Sequence, residues 1–345
     1  MISTSKARAI LTGAAIALAA LLAACSEPKP AAPKLAAPAV TLSPRLIEQA
    51  GAYRAYVQRA GAISPAFADG DAIAQSLRTA AAYEPKQLLR GAMAYGAVAA
   101  LQDRRFVAAV RTYAADPQTR QTMTLQIMRN PNYVTSLDGA DGAAGLVAAA
   151  LGDEGQRLYA AGKAVKQAAY DVQKNKWSKA DVANRVGRLA EAKMLSATPL
   201  VGDTAEIGRL SQAALGAAPL GLTGRTVSAP YPPVVVRSMA VAALAVLGEA
   251  GDANVEQVTG LMADPMSASC LHMSKLNLYQ CLAVSKPHYE DVFCLGQHIL
   301  MDTGQCLMRS AGLPAPVETR PVKVAQTAPA AAPAAPARKG SGKKR

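Results

Sequence analysis

Residues 267–308 read SASCLHMSKLNLYQCLAVSKPHYEDVFCLGQHILMDTGQCLM, and this stretch constrains the fold through its four cysteines. Apolar residues recur at helical spacing on both sides of Lys286-Pro287-His288, where the proline interrupts the pattern. The pattern predicts two helices, 267–285 and 289–308, which turn back on each other at the proline. The cysteine-bearing end of the chain is therefore expected to be a helical hairpin.

The four cysteines of this hairpin are predicted to form two disulfides, because their number is even and the chain has a secretory signal, described below. Opposing residues of an antiparallel pair have a constant sum of residue numbers, and the sums for Cys281 with Cys294 and for Cys270 with Cys306 differ by one. Pairing along one helix is disfavoured, because eleven helical residues separate the sulfurs by roughly 16 Å. We therefore expect nested bonds, Cys281–Cys294 and Cys270–Cys306.

The second helix of the hairpin is expected to deviate from ideal geometry. Twelve residues separate Cys294 from Cys306, which places their side chains about 120° apart on an ideal helix. The deviation is predicted near Gly296 or Gly304. The layout is similar to the paired cysteines of twin-cysteine mitochondrial proteins, although the spacings differ and no kinship is inferred.

The first 24 residues have the three parts of a secretory signal: the basic residues Lys6 and Arg8, a short apolar run, and small residues at its end. That end, Leu22-Ala23-Ala24-Cys25, resembles the lipobox of bacterial lipoproteins. The resemblance implies cleavage before Cys25 and attachment of lipid, including palmitate, to that cysteine. Ser26 stands where such families carry Asp for retention in the inner membrane, so the resemblance favours the outer membrane, with the chain facing the periplasm. The alternative is an ordinary cleaved signal with an incidental Cys25.

Composition predicts an all-α fold, a multi-helix bundle or helical array. Hydrophobic residues make up 51% of the 345 residues, whereas aromatic residues make up only 4%. This balance favours helices packed through small side chains over a β-sheet. The net charge of +13 falls mainly in the signal, the linker after it and the tail, which leaves about +4 for the body. A basic nucleic-acid groove on the folded body is therefore not expected.

The chain is predicted to comprise six segments: a signal peptide (1–24), a lipidated Pro/Ala-rich linker (25–44), a helical body (45–218), a loop (219–233), a helical part with four cysteines (234–312) and a disordered Ala/Pro-rich basic tail (313–345). Apolar spacing predicts further helices at 44–60, 71–83, 85–114, 117–129, 142–174, 179–195, 204–216 and 232–248. Helix starts are predicted at Asp116-Pro117, at Asp264-Pro265, at Ser178 with Asp181 and at Asp203 with Glu206.

Sequence motifs of common enzymes are not matched. The spacing of Gly155 and Gly162 does not fit a phosphate-binding loop, and the evenly spaced Gly139, Gly142 and Gly145 do not fit a dinucleotide fingerprint. A glycan-cleaving enzyme would need one protonated acid in a cleft. Nothing in the sequence selects among the available glutamates, which are Glu48, Glu84, Glu154, Glu191, Glu206 and Glu290.

The leading hypothesis is a non-enzymatic interaction or structural module of the cell envelope, without a cofactor and tethered to the membrane by lipid. Its expected partners are peptidoglycan, lipopolysaccharide or another envelope protein, and nucleic acid is not expected. The tail is predicted to contact anionic envelope polymers through a cluster of basic residues, Arg338, Lys339, Lys343, Lys344 and Arg345.

Two alternatives stay open at this stage. One is an enzyme that processes cell-wall glycan or peptide. The other is a metal-handling protein, because all three histidines, His272, His288 and His298, fall within the cysteine-bearing hairpin. The metal alternative requires free thiols.

Overall fold

The chain folds into α-helices in a computed structural model that describes residues 37–316, and no strand occurs within this range. The all-α prediction is confirmed. The helices in chain order are α1 Pro44–Gly61, α2 Gly70–Ala81, α3 Pro85–Ala100, α4 Arg104–Ala114, α5 Pro117–Arg129, α6 Ala140–Asp171, α7 Arg185–Ala197, α8 Thr204–Ala214, α9 Pro233–Val246, α10 Val255–Leu261, α11 Pro265–Val284, α12 His288–Cys294 and α13 Asp302–Ser310, with a π-helix Leu295–Met301 between the last two.

Three of the predicted helix starts are confirmed by their capping hydrogen bonds. The carboxylates of Asp116, Asp203 and Asp264 each accept a hydrogen bond from the backbone N–H three residues later, at 2.7 to 3.0 Å. These bonds satisfy donors that a helix N-terminus would otherwise leave unpaired.

Two of the predicted helices depart from the structure by more than three residues. The helix expected at 179–195 begins only at Arg185, because the hydroxyl of Ser178 is buried and donates to the carbonyls of Val172 and Asn175, and Asn184 is the cap. The segment expected as one helix, 85–114, is broken at Asp103, whose carboxylate accepts from the N–H of Phe106 at 2.8 Å and starts α4.

The core is one cluster of apolar side chains to which helices on both sides of the 219–233 loop contribute. The helix α9 is buried along almost its whole length and packs against α3 and α6. Its alanines and valines allow close contact with the alanine-rich face of α3. Between residues 37 and 316, no helix is both long and apolar enough to cross a membrane.

The cysteine hairpin has the predicted nested disulfides. Cys270 is bonded to Cys306 and Cys281 to Cys294, with Cα–Cα distances of 5.7 and 5.6 Å. The π-helix provides the predicted deviation, since its seven residues follow Cys294 and include Gly296. Each residue of a π-helix turns through less than 100°, so seven of them remove roughly 120° and bring Cys306 onto the same face as Cys294.

The glycines of α6 are explained by helix packing. A Cβ atom on Gly155 would lie 2.8 Å from the carbonyl oxygen of Gly304, and one on Gly162 would lie 2.8 Å from that of Gly296. Only hydrogen atoms fit at these two places, so α6 crosses the second arm of the hairpin at backbone contact. The crossing fixes the hairpin against the rest of the molecule.

Candidate functional site: the α2–α7 cleft

A cleft of about 970 Å³ lies between α2 and α7 and is bounded at one end by the start of α12. Its volume is in the range of small-ligand sites, most of which lie in clefts of this kind. Its charged lining comprises two guanidinium groups, those of Arg78 and Arg188. It also comprises five carboxyl groups, those of Asp69, Asp71, Asp181, Glu191 and Asp291.

The wall formed by α7 is held in place by its first turn. The guanidinium of Arg185 donates to the carbonyl oxygens of Ala283, Val284 and Ser285 at 3.0, 3.2 and 2.7 Å, and Arg188 donates to that of Leu282. These carbonyls belong to the C-terminus of α11, where a helix leaves acceptors unpaired and carries partial negative charge. Two arginines on one turn of α7 therefore bind it to the end of α11.

The most enclosed charges of the cleft are Asp291 and Arg188, which form an ion pair with 3% and 9% of their side chains exposed. The hydroxyl of Ser285 also donates to Asp291, at 2.8 Å. Burial raises the pKa of the Asp291 carboxyl, although the adjacent Arg188 and the hydroxyl of Ser285 oppose the shift. The pair fixes the start of α12 against α7.

One hydrogen-bond donor of the Arg188–Asp291 ion pair has no acceptor among the described residues. The Nε atom of Arg188 is buried and has no hydrogen-bond partner within residues 37–316. A buried N–H without an acceptor costs free energy, about 1–3 kcal/mol in proteins. Arg188 lines the cleft, but its Nε atom is enclosed by protein, so a ligand oxygen satisfies this donor only if the side chains that cover Nε move aside.

Some of the carboxylates that line the cleft already have a hydrogen-bond or ion-pair partner, and others have none. Asp69 caps α2 by accepting from the N–H of Ala72 at 2.9 Å, and Glu191 lies 3.6 Å from Arg78. In contrast, the exposed carboxylates of Asp71 and Asp181 have no side-chain hydrogen bond or ion pair to any other residue in the 37–316 range. These two groups are available to a cation.

The imidazole of His288 closes one end of the cleft. It lies directly against Gly70, where any Cβ atom would collide with the ring, and its centroid is 6.4 Å from that of Trp177. The glycine that begins α2 therefore makes room for the ring. His298 is elsewhere, in the π-helix, where it lies 3.2 Å from Asp302, and His272 is exposed on α11.

The residues of the metal alternative are thus not brought together. No group of three or more His, Cys, Asp or Glu side chains that could hold a metal ion occurs in residues 37–316. Both disulfides also consume the four sulfur ligands that this alternative requires.

Of the six glutamates available to a hydrolase, only Glu191 lines the cleft. Glu84 caps α3, Glu290 accepts from the N–H of Lys286 at 2.8 Å, and Glu48 is exposed on α1. The carboxyl with the raised pKa is Asp291, which sequence reasoning missed. No local signal marks it, since its partner Arg188 is 103 residues away in sequence.

The remaining two glutamates belong to a buried ion cluster between α1, α6 and α8. Glu154 pairs with Arg54 and with Arg157, whereas Glu206 pairs with Arg54 and Arg209 at 2.9 and 2.7 Å. The hydrogen bonds from Arg209 and Arg54 lower the pKa of Glu206. The cluster ties three helices together and is separate from the cleft.

The far end of α7 is held by a buried lysine. The Nζ atom of Lys275 donates to the carbonyl of Ala81 and to the hydroxyl of Ser196, the latter at 3.0 Å, and lies 3.6 Å from the centroid of the Tyr83 ring. Burial lowers its pKa well below the ordinary value for lysine. Lys275 thereby connects α11 to both walls of the cleft, at the ends of α2 and α7.

The predicted lipidation residue Cys25 and the basic tail residues lie outside the described residues, 37–316. Comparisons with family models, with curated proteins and with solved structures found no match to this chain.

Proposed function

We propose that the protein is a binding module of the cell envelope, anchored by lipid on Cys25, whose α2–α7 cleft binds a basic peptide segment. The observation that carries the proposal is the lining of the cleft, where the carboxylates of Asp71 and Asp181 are free and the buried Nε of Arg188 has no acceptor within the described residues. A basic peptide offers both complements, because its side chains are cations and its backbone carbonyls are acceptors.

The electrostatic balance supports a cation as the ligand. Five carboxyl groups face two guanidinium groups in the cleft, whereas the body as a whole has an excess of basic residues. A concave surface with an excess of charge of one sign attracts ligands of the opposite sign and raises their rate of association. The partner is therefore expected to be another envelope protein or peptide.

The location in the envelope is supported by the disulfides. Two disulfides in one small hairpin are typical of proteins that fold outside the cytoplasm. A lipid anchor at Cys25, which the lipobox resemblance implies, would place the cleft at the surface of the outer membrane, on its periplasmic side. The linker from residue 25 onwards would separate it from the bilayer.

Binding is favoured over catalysis because of how Asp291 is held. A carboxyl of raised pKa in a cleft is what a glycan-cleaving or peptide-cleaving enzyme would use. Asp291 is almost fully enclosed, however, and protonating a substrate would require it to leave Arg188 and Ser285, which fix α7 to α12. Turnover of purified peptidoglycan that is lost in Asp291→Asn would instead support the enzyme.

The binding test is fluorescence anisotropy with a labelled lysine-rich and arginine-rich decapeptide and the mature chain, in which Arg338, Lys339, Lys343, Lys344 and Arg345 are replaced by Gln so that no basic segment of the chain itself competes with the peptide. We expect Asp71→Asn/Asp181→Asn to weaken binding about five- to thirtyfold, since the two exposed charge pairs together contribute about 1–2 kcal/mol. The matched control is Glu48→Gln/Glu256→Gln, which removes two exposed carboxylates outside the cleft and should leave the affinity within twofold. Equal losses in both variants would show that net charge alone attracts the peptide, and the proposal would then be wrong.

A further inference from the structure

We propose that the protein's own basic tail, residues 338–345, binds in the α2–α7 cleft and competes there with an external basic peptide. This inference rests on the proposed function, because it assigns an internal competitor to the same site. The segment proposed to occupy the cleft, residues 338–345, lies outside the described residues.

The charges of the two partners are complementary. Residues 338–345 read RKGSGKKR, with five basic residues and no acidic one. The cleft offers the free carboxylates of Asp71, on α2, and of Asp181, which precedes α7, as well as Glu191 on the α7 wall. The same stretch contains glycine and serine, whose small side chains let a backbone carbonyl approach Arg188 closely.

The available length of chain allows the contact. The described range ends at residue 316, soon after α13, whereas the cleft lies at the start of the same arm, near Asp291. The arm from Asp291 to the end of α13 is about 30 Å long at 1.5 Å per residue. The roughly 20 residues between 316 and 338 can span up to about 70 Å. The tail therefore reaches the cleft of its own chain with more than twofold excess length.

Binding within one chain has a measurable consequence. A ligand attached through a linker of this length acts at an effective concentration of about 1 mM. If the free peptide binds an open cleft with a Kd of about 100 μM, the tail is expected to weaken its binding to the natural chain about tenfold. Neutralising the tail should restore the full affinity.

The experiment uses the full mature chain in detergent, with fluorescein-labelled RKGSGKKR as the probe in anisotropy titrations. The tail variant replaces Arg338, Lys339, Lys343, Lys344 and Arg345 by Gln. The matched control removes five exposed basic residues from the body instead, through the substitutions Arg59→Gln, Arg90→Gln, Arg111→Gln, Arg129→Gln and Lys174→Gln. Both variants change the net charge equally, so they separate competition by the tail from general repulsion.

We expect the tail variant to bind the probe about tenfold more tightly than the natural chain, and the body control to bind within twofold of it. Adding Asp71→Asn/Asp181→Asn to the tail variant should remove the gain. If the natural chain and the tail variant bind equally, and both lose binding with these cleft substitutions, the tail does not occupy the cleft, although the proposed function stands. Absence of probe binding in every chain would overturn both. A tail effect that grows with protein concentration would assign the cleft to the tail of a second copy and overturn the intramolecular contact.

Discussion

Replacing Gly304 by alanine is expected to destabilise the fold, because this glycine lies where α13 crosses α6. A Cβ atom there would lie 2.6 Å from the backbone nitrogen of Tyr159 and 2.7 Å from the carbonyl oxygen of Gly155. Both are backbone atoms of a long helix, so neither can move aside without shifting α6. The added methyl group must therefore separate the two helices.

The size of the effect follows from two opposing contributions. Alanine in place of glycine stabilises a helix interior by about 1 kcal/mol. An extra methyl group in a close-packed contact costs typically 1–3 kcal/mol, and contact with backbone on both sides places this site near the upper end. The expected net loss is about 2 kcal/mol in the free energy of unfolding. The hairpin would be released first, because this crossing fixes it against α6.

The matched control is Gly208→Ala in α8, where a Cβ atom would meet no other atom within 4 Å. Only the helix-propensity contribution remains there, so this variant should gain about 1 kcal/mol. Urea unfolding followed by circular dichroism at 222 nm would measure both, with equal slopes required for the comparison. The two variants should differ by about 3 kcal/mol. If Gly304→Ala were as stable as Gly208→Ala, the account of the crossing would be refuted.

Three further predictions concern charges and covalent state. Hydrogen bonds from Arg209 and Arg54 lower the pKa of Glu206, so its ionised form adds stability above about pH 4.5 that is lost as the pH falls through its lower folded pKa. Glu206→Gln should therefore lower the Tm at pH 7, whereas at pH 3 its Tm should approach that of the natural protein. Equal losses of Tm at pH 7 and at pH 3 would contradict this. Burial lowers the pKa of Lys275, so the unfolded chain binds a proton that the folded chain lacks, and the free energy of unfolding should rise with pH towards 10.5 by up to about 1.4 kcal/mol per pH unit. Between about pH 8 and 9.5, Lys275→Met should remove this dependence of the free energy of unfolding on pH. An unchanged dependence would show that the amine is charged in the fold. Intact mass of the envelope-purified protein should show lipid on Cys25 and four thiols only after reduction, and thiols that react without reduction would oppose the disulfide assignment.

The hairpin was predictable from sequence because its geometry is local. Antiparallel helices joined by a short turn bring residues of constant sum together, so the positions of the cysteines were sufficient to predict the pairing. The same reasoning required an irregular second arm, and the structure places a π-helix there. The caps at Asp116, Asp203 and Asp264 were predictable for the same reason, since each acts within three residues.

The cleft could not be predicted, because the contacts that build it join distant parts of the chain. Arg188 meets Asp291 across 103 residues, and Lys275 reaches the carbonyl of Ala81 across 194. Neither contact follows a periodicity or a spacing. The delayed start of α7 had a local cause, but Ser178 carries the same cap-and-acid pattern as a true helix start, and only its burial distinguishes it.

The most direct test of the central proposal, a basic peptide bound in the α2–α7 cleft, is zero-length carbodiimide cross-linking of a lysine-rich peptide to the tail-neutralised chain, mapped by mass spectrometry. We expect cross-links at Asp71, Asp181 or Glu191, which line the cleft and are at least partly exposed. Cross-links spread over exposed carboxylates elsewhere, such as Glu48 and Glu256, with none in the cleft, would contradict the proposal.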